Sequence, residues 1–262
     1  MGRLTGKIAI VTGGGGLGIG HGISLELARD GARVVVVELD APAAENICAR
    51  IQAEGGKASF LQGDVSQPES VRRVIEKVIE EHGRLDVLVN NAGIGLIRPP
   101  ADASEEEFDH LMSVDLRGVW LCCKYAIPQM QRQNSGSIIN IASVHSRATM
   151  RNYGLYAATK AGVAGLTRGI AAHYGKDGIR ANTVSPGLVD SPQNHEIIAQ
   201  FAPSVEGWMR NFVERGQALP WLIQPRDVGR TVAFLASDDA RSITGAEIPV
   251  DAGTWVRLPG EY

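Results

Sequence analysis

The sequence predicts an α/β fold: one doubly wound parallel sheet of about seven strands, with helices on both faces. Three observations carry this. Short β-branched runs alternate with helix-length periodic segments almost to the end of the chain. The runs are continuously apolar, as strands covered on both faces are. A dense glycine cluster also follows the first run and opens the first helix. Seven of the 31 glycines in 262 residues fall between Gly13 and Gly22, so the surplus serves one place rather than general flexibility.

Strands are expected at Ile8–Val11, Val34–Val37, Ala58–Leu61 (the weakest), Val87–Val89, Ile138–Ile141, Ile179–Val184 and Glu247–Val250. About six helices lie between them. The first carries Ile23, Leu25, Leu27 and Ala28 behind the glycines. Ser66-Gln67-Pro68-Glu69 and Ser104-Glu105-Glu106-Glu107 both read as capping boxes. After the first of these, Val71, Val74, Ile75, Val78 and Ile79 make an i, i+3, i+4 stripe that Gly83 stops. Trp120, Cys122 and Cys123 share a helix with Leu111 and Met112, and core packing is expected for them. The stretch 191–220 breaks the rhythm with Pro192, Pro203, Trp208 and Pro220. It follows the sixth strand, where ligands sit in open α/β sheets, so it is expected to be a substrate lid. No linker or composition break divides the chain, which reads as a single domain over 1–262.

A net charge of −3 with no basic stripe argues against a nucleic-acid partner. No apolar run approaches the roughly 18 residues of a membrane span. Cys48, Cys122 and Cys123 have no ligand-like spacing, and their odd number suits a reducing compartment, so a cytoplasmic location is expected. His21, His82, His110 and His173 read as surface residues and form no metal cluster.

The glycine cluster Thr12-Gly13-Gly14-Gly15-Gly16-Leu17-Gly18-Ile19-Gly20 sits between a strand and a helix. A helix N-terminus presents unpaired N–H groups and a positive dipole end, which suit a pyrophosphate, and glycines allow it close to the backbone. The second strand ends in Glu38, 18 residues after Gly20, where a carboxylate accepts hydrogen bonds from the ribose hydroxyls and repels a 2′-phosphate. Leu39 follows rather than an arginine, and the glycine turn holds no cation. The expected cofactor is therefore NAD, bound by a Rossmann-type sheet.

At these residues the chain resembles the short-chain dehydrogenase/reductase family over essentially its whole length. Gly13, Gly18, Ile19 and Gly20 are similar to the family's glycine-rich turn, and Asp64-Val65 looks like the pair that touches the adenine. Asn90-Asn91-Ala92-Gly93 matches the motif ending the fourth strand, and Tyr156-Ala157-Ala158-Thr159-Lys160 matches the Tyr-x-x-x-Lys signature. Ser143 ends the fifth strand. Pro186-Gly187 follows the sixth, Ser191 stands where the family usually has Thr, near the nicotinamide amide, and Val189 is a further implied cofactor contact. The resemblance implies Ser143, Tyr156, Lys160 and the residue at Asp115 as the catalytic set. It also implies cofactor contacts from Asn91, Ala92, Gly93, Tyr156 and Lys160, and a homotetramer or homodimer. Two departures stand out. Gly13 and Gly18 enclose one residue more than the family's turn, and Asp115 stands where the family usually has Asn.

The chemistry fits these residue types independently. Tyr156 and Lys160 are i, i+4 on a helix and share a face. A free phenol titrates near about pH 10, so it serves as a base at neutral pH only when a nearby cation stabilises the phenolate. Ser143 would hold the substrate oxygen. His145, Arg147, Arg151 and Tyr153 lie between Ser143 and Tyr156, and His195 lies in the expected lid. These are candidates to bind a small polar substrate: a sugar, polyol or hydroxyacid. The resulting expectation is an NAD-dependent alcohol or sugar dehydrogenase. A 3-oxoacyl thioester reductase and a non-catalytic dinucleotide sensor or scaffold are the alternatives. The apolar end of the chain from Trp255 to Tyr262 is expected to dock on a neighbouring subunit.

Overall fold

A computed structural model describes residues 2–257 of the chain. Seven strands form one sheet: β1 (Ile8–Thr12), β2 (Arg33–Glu38), β3 (Lys57–Gln62), β4 (Val87–Asn90), β5 (Gly136–Ile141), β6 (Ile179–Pro186) and β7 (Glu247–Val250). Their order is β3-β2-β1-β4-β5-β6-β7, and every pair is parallel. The expected fold class is therefore the observed one, and each expected strand is present, most extended by one or two residues.

The helices are α1 (Ile19–Arg29), α2 (Ala41–Ala53), α3 (Pro68–His82), α4 (Glu105–Met112), α5 (Val119–Gln133), α6 (Gly154–Tyr174), α7 (Pro192–Ala199), α8 (Val205–Gly216) and α9 (Pro225–Ala236). That is three more than expected. The surplus is α7 and α8, inside the irregular stretch 191–220, and the division of one helical path into α4 and α5 by a π-helical turn at Ser113–Gly118.

Strand β2 shows why its valines are continuous. Val34 and Val36 pack into one core layer with Ile23 and Leu27 of α1, Ile47 of α2 and Val228 of α9. Val35 and Val37 point the other way, into a second layer with Val74 of α3, Leu121 of α5 and Val163 of α6. Alternate side chains face opposite sides of a sheet, so a strand covered on both faces must be apolar throughout.

The caps hold in part. Ser104 accepts from the Glu107 N–H while the Glu107 carboxylate accepts from the Ser104 N–H, a complete capping box. Gly83 ends α3 in the left-handed region at φ 71°. The box expected at Ser66 does not form. Gln67 is the N-cap of α3 with no side-chain bond, and the Ser66 hydroxyl is turned back to Asp64 Oδ1 at 2.7 Å. Trp120 is not core: it is 44% exposed, whereas Cys122 and Cys123 on the inner face of α5 are buried. His21 is not at the surface either. It is buried on α1 with Nε2 2.9 Å from Arg50 Nη1, and burial, then the Arg50 charge, lowers its pKa.

Register places the site. Thr12 pairs with Asn90, and Asn90 with Asn140, so β1, β4 and β5 end nearly level. The strand order also reverses between β1 and β4. The residues just beyond these ends, Gly13, Asn91 and Ser143, open into the crevice that such a switch point creates.

Candidate active site

One cavity of about 690 Å³ runs across the carboxyl ends of the strands, from Glu38 and Asp64 to Tyr156, Trp208 and Trp255. At the β1 end the glycines earn their place sterically. A Cβ on Gly20 would lie 2.0 Å from the Gly13 carbonyl oxygen, and Gly13 itself stands at φ 62° with Ala92 2.8 Å from where its Cβ would be. Asn91 locks this turn from the side, donating from Nδ2 to the Thr12 and Gly13 carbonyls at 3.1 and 2.8 Å. The Thr12 hydroxyl accepts from the Asn91 and Ala92 N–H groups, both at 3.1 Å. Thr12, the first residue of the expected turn, thereby ties the end of β1 to the residues after β4.

The glycine turn also reaches the end of β2. Gly15 N–H donates to Glu38 Oε2 at 3.1 Å, and Leu39 N–H donates to Oε1 at 3.0 Å. Both oxygens are thereby held by backbone. No room remains at Gly15 for a side chain, since its Cβ would meet the Ala44 nitrogen at 2.9 Å. Asp64 lines the cavity beside Val65, its Oδ1 accepting from the Ser66 N–H and hydroxyl.

The other half of the cavity gathers Ser143, Tyr156 and Lys160. Ser143 is buried at the end of β5, and its Oγ accepts from the His145 N–H at 3.2 Å, which leaves the hydroxyl proton free to donate. Tyr156 and Lys160 lie one turn apart on α6, with Lys160 Nζ 5.3 Å from the Tyr156 ring centre. Asp115 lies on the π-helical turn, fully buried. Its Oδ2 is 2.9 Å from Lys160 Nζ, and its Oδ1 accepts from the Ile94 N–H at 2.7 Å. Burial alone would lower the Lys160 pKa, but the Tyr156 and Asp115 oxygens beside it outweigh that, and it stands above the usual lysine range. A π turn adds a residue to the helical ring, and here the residues it widens include the one that reaches Lys160. Gly93 leaves the space above the pair open: a Cβ there would lie 3.2 Å from Lys160 Nζ.

The glycine cradle, the uncapped N-terminus of α1 at Gly18 and the carboxylate ending β2 fit a dinucleotide. Comparison with known proteins agrees. A family model described as enoyl-(acyl carrier protein) reductase matches residues 15–254. A short-chain dehydrogenase/reductase of Armillaria gallica is 40% identical, over 95% of each chain. The chain belongs to the short-chain dehydrogenase/reductase family. The 3-oxoacyl-(acyl-carrier-protein) reductase FabG of Staphylococcus aureus is 37% identical over 95% of this chain and 98% of that one. The crystal structure of levodione reductase superposes with a TM-score of 0.93 at 32% identity, covering 98% of this chain and all of the other. As a member of this family the chain is an oxidoreductase with a nicotinamide dinucleotide cofactor.

Several expected site residues stand elsewhere than in the cavity of this short-chain dehydrogenase/reductase. Arg147 is 58% exposed in its side chain; it pairs with Glu247 at 3.0 Å and lies over the Trp255 ring at 4.6 Å. Arg151 is exposed in the turn before α6, outside the lining. His195 turns to Asp190, with Nε2 and Oδ1 2.7 Å apart, because α7 points it away from the cavity that Gln193 and Asn194 face. Val189 is buried in a bridge to Ile223, and Leu188 lines the cavity instead. His145 and Tyr153 do line it, stacked with ring centres 4.6 Å apart. Gly18, Ile19, Ala92, Pro186, Gly187 and Ser191 also line it.

Trp255, at the start of the chain end expected to dock on a neighbouring subunit, packs on its own chain: its indole N–H donates to the Val144 carbonyl at 2.8 Å and its ring lines the cavity. The rest of that expectation, residues 258–262, lies outside the described residues. Among the described residues no helix is long and apolar enough to cross a membrane, and no group of side chains is arranged to hold a metal.

Proposed function

We propose that this chain is an NAD-dependent oxidoreductase interconverting a secondary alcohol and its ketone. The observation that carries the reading is one cavity holding Ser143, Tyr156 and Lys160 at one end and a backbone-clamped Glu38 at the other. The glycine turn and the α1 N-terminus would hold the pyrophosphate by their N–H groups. Glu38 would accept from the ribose hydroxyls, and its negative charge disfavours a 2′-phosphate. When bound, the nicotinamide supplies the hydride exchange.

The protein's own groups manage the proton. Ser143 donates from its hydroxyl to the substrate oxygen. Tyr156 takes the alcohol proton on its phenol oxygen, or returns it when the ketone is reduced. Lys160 stabilises the phenolate by its charge, and Asp115 holds Lys160 in place. The segment of α7 and α8 covers the substrate end as a lid. Exposed Ala158 and Ala161 on α6 support self-association as a homotetramer or homodimer, which sedimentation reads.

Tyr156→Phe removes the proton-transferring oxygen and leaves the ring. It lowers kcat by about 100-fold or more, while NADH binding, read by nicotinamide fluorescence, persists. A Phe variant with ordinary turnover overturns the assignment. The likeness to a 3-oxoacyl thioester reductase favours a second reading. A preference for NADPH with acetoacetyl thioester would select it.

A further inference from the structure

The charges that line the cavity are unevenly placed. Glu38 and Asp64 belong to the ends of β2 and β3, the glycine-turn side of the sheet. Lys160 is matched by Asp115 at 2.9 Å. Between residues 144 and 153, and again between 188 and 212, no Asp, Glu, Lys or Arg reaches the lining. The two arginines of the first segment are outside it, Arg147 spent on Glu247. His145 keeps its Nδ1 2.8 Å from the Thr149 hydroxyl, and burial lowers its pKa, so it is neutral at pH 7. A carboxylate or phosphate brought to this end would meet no counter-charge and would pay its full desolvation.

What does line this end is aromatic on two sides. On one side His145 and Tyr153 stack, and Tyr156 meets both edge-on, at 5.6 and 6.2 Å between ring centres. On the other, Trp208 stacks on Phe212 at 5.4 Å and meets Phe201 edge-on at 5.6 Å. The second group comes wholly from α8 and the turn before it, in the irregular segment. Phe201 is 53% exposed although it borders the cavity, an apolar surface that a bound apolar body would cover.

We infer that the substrate end takes an uncharged ketone or secondary alcohol carried on an apolar ring, and that Trp208 sets this specificity. The inference rests on the oxidoreductase reading for the reaction and on the cavity wall for the substrate. Flat ring faces match flat aromatic walls, since offset and edge-on ring contacts add to simple burial. The reacting oxygen then points to the polar pair, Ser143 and Tyr156, and the ring body to the aromatics. A sugar or polyol would find few free partners for its hydroxyls: among the polar side chains lining this end, Asn194 Nδ2 is spent on the Val189 carbonyl, the Thr149 hydroxyl on His145, and Gln193 lies toward Gly18 of the glycine turn, and each unpaired donor or acceptor costs free energy.

The test measures reduction of 1-tetralone, 2-octanone, acetoacetate, fructose and acetone, each with NADH and with NADPH. Binding of 1-tetralone to the enzyme saturated with cofactor is read separately by thermal shift. Expected is a kcat/KM for 1-tetralone about 100-fold above acetoacetate and fructose, and about tenfold above 2-octanone. Trp208→Ala lowers the 1-tetralone to acetone ratio by about tenfold or more, and Trp208→Leu, which keeps an apolar side chain there, lowers it as well. Fructose or acetoacetate as the better substrate, or an unchanged ratio in both variants, overturns the inference and leaves the oxidoreductase reading standing. Stabilisation by 1-tetralone, lost in Trp208→Ala, with no turnover of any ketone, upholds the ring site and overturns the proposed alcohol–ketone reaction.

Discussion

Asp115→Asn isolates the feature that sets this chain apart from the usual pattern of its family. The substitution keeps the shape and keeps an acceptor for the Ile94 N–H, which Oδ1 now receives at 2.7 Å. It removes one buried negative charge. That charge lies 2.9 Å from Lys160 Nζ, which is itself 5.3 Å from the Tyr156 ring centre. The carboxylate is therefore no farther than about 8 Å from the ring. At that distance, and at an effective dielectric near 20, two like unit charges repel by about 2 kcal/mol, which relaxation and water reduce.

The sign follows from the reaction. Alcohol oxidation needs the proton acceptor in its deprotonated, anionic form, so the rate rises with pH through its acidic limb. Asp115 disfavours a second anion and offsets part of the Lys160 charge. With Asn in its place the anionic form is easier to reach, and the limb moves to lower pH. The other titratable side chains beside Tyr156 are His145, 5.6 Å away between ring centres, its pKa lowered by burial, and Tyr153, 6.2 Å away, its pKa raised by burial and then by Tyr156 itself. The measurement is kcat/KM for alcohol oxidation from pH 6 to 10 in both proteins, with the limb assigned to the coupled set rather than to one residue. Superimposable profiles would refute the reasoning, as would a shift to higher pH.

Three further outcomes are expected. Glu38→Ala removes both the ribose acceptor and the repulsion of a 2′-phosphate, narrowing the NAD to NADP ratio of kcat/KM by about 10- to 100-fold; an unchanged ratio refutes the role given to Glu38. Gly20→Ala forces a Cβ to within 2.0 Å of the Gly13 carbonyl oxygen, so it costs on the order of 3 kcal/mol and lowers Tm by roughly 6–12 °C. A stable Ala variant would contradict the packing described for the turn. Cys122 and Cys123 are buried, and burial pushes the Cys123 thiol up to about 12 and Cys122 higher still. A thiol reagent at pH 8 should therefore modify neither in the native protein and both after unfolding; rapid native labelling would refute this.

How much of this was legible in the sequence depends on how far apart the interacting residues stand. Strands read clearly because burial on both faces leaves its mark within five or six residues, as in Val34 to Val37. Tyr156 and Lys160 read clearly because a helix turn relates them directly. The failures come from competing partners, near or far along the chain. Ser66 has the spacing of a capping box, but Asp64, two residues before it, competes for its hydroxyl. Arg147 lies in the segment between Ser143 and Tyr156, yet Glu247, a hundred residues on, claims it. His195 is likewise claimed by Asp190. The extra glycine-turn residue shows the reverse case. From spacing alone it is a defect in a motif, because nothing in the turn names its partner. Only the register of β1 on β2, with Thr12 beside Val37, brings Gly15 to Glu38 and makes a turn N–H a clamp on the carboxylate. Charged residues near a motif therefore carry little weight until their partners are known, whereas a carboxylate fixed by two backbone N–H groups cannot turn aside to make room for a phosphate. That rigidity makes the proposed preference for NAD a property of the turn as much as of Glu38.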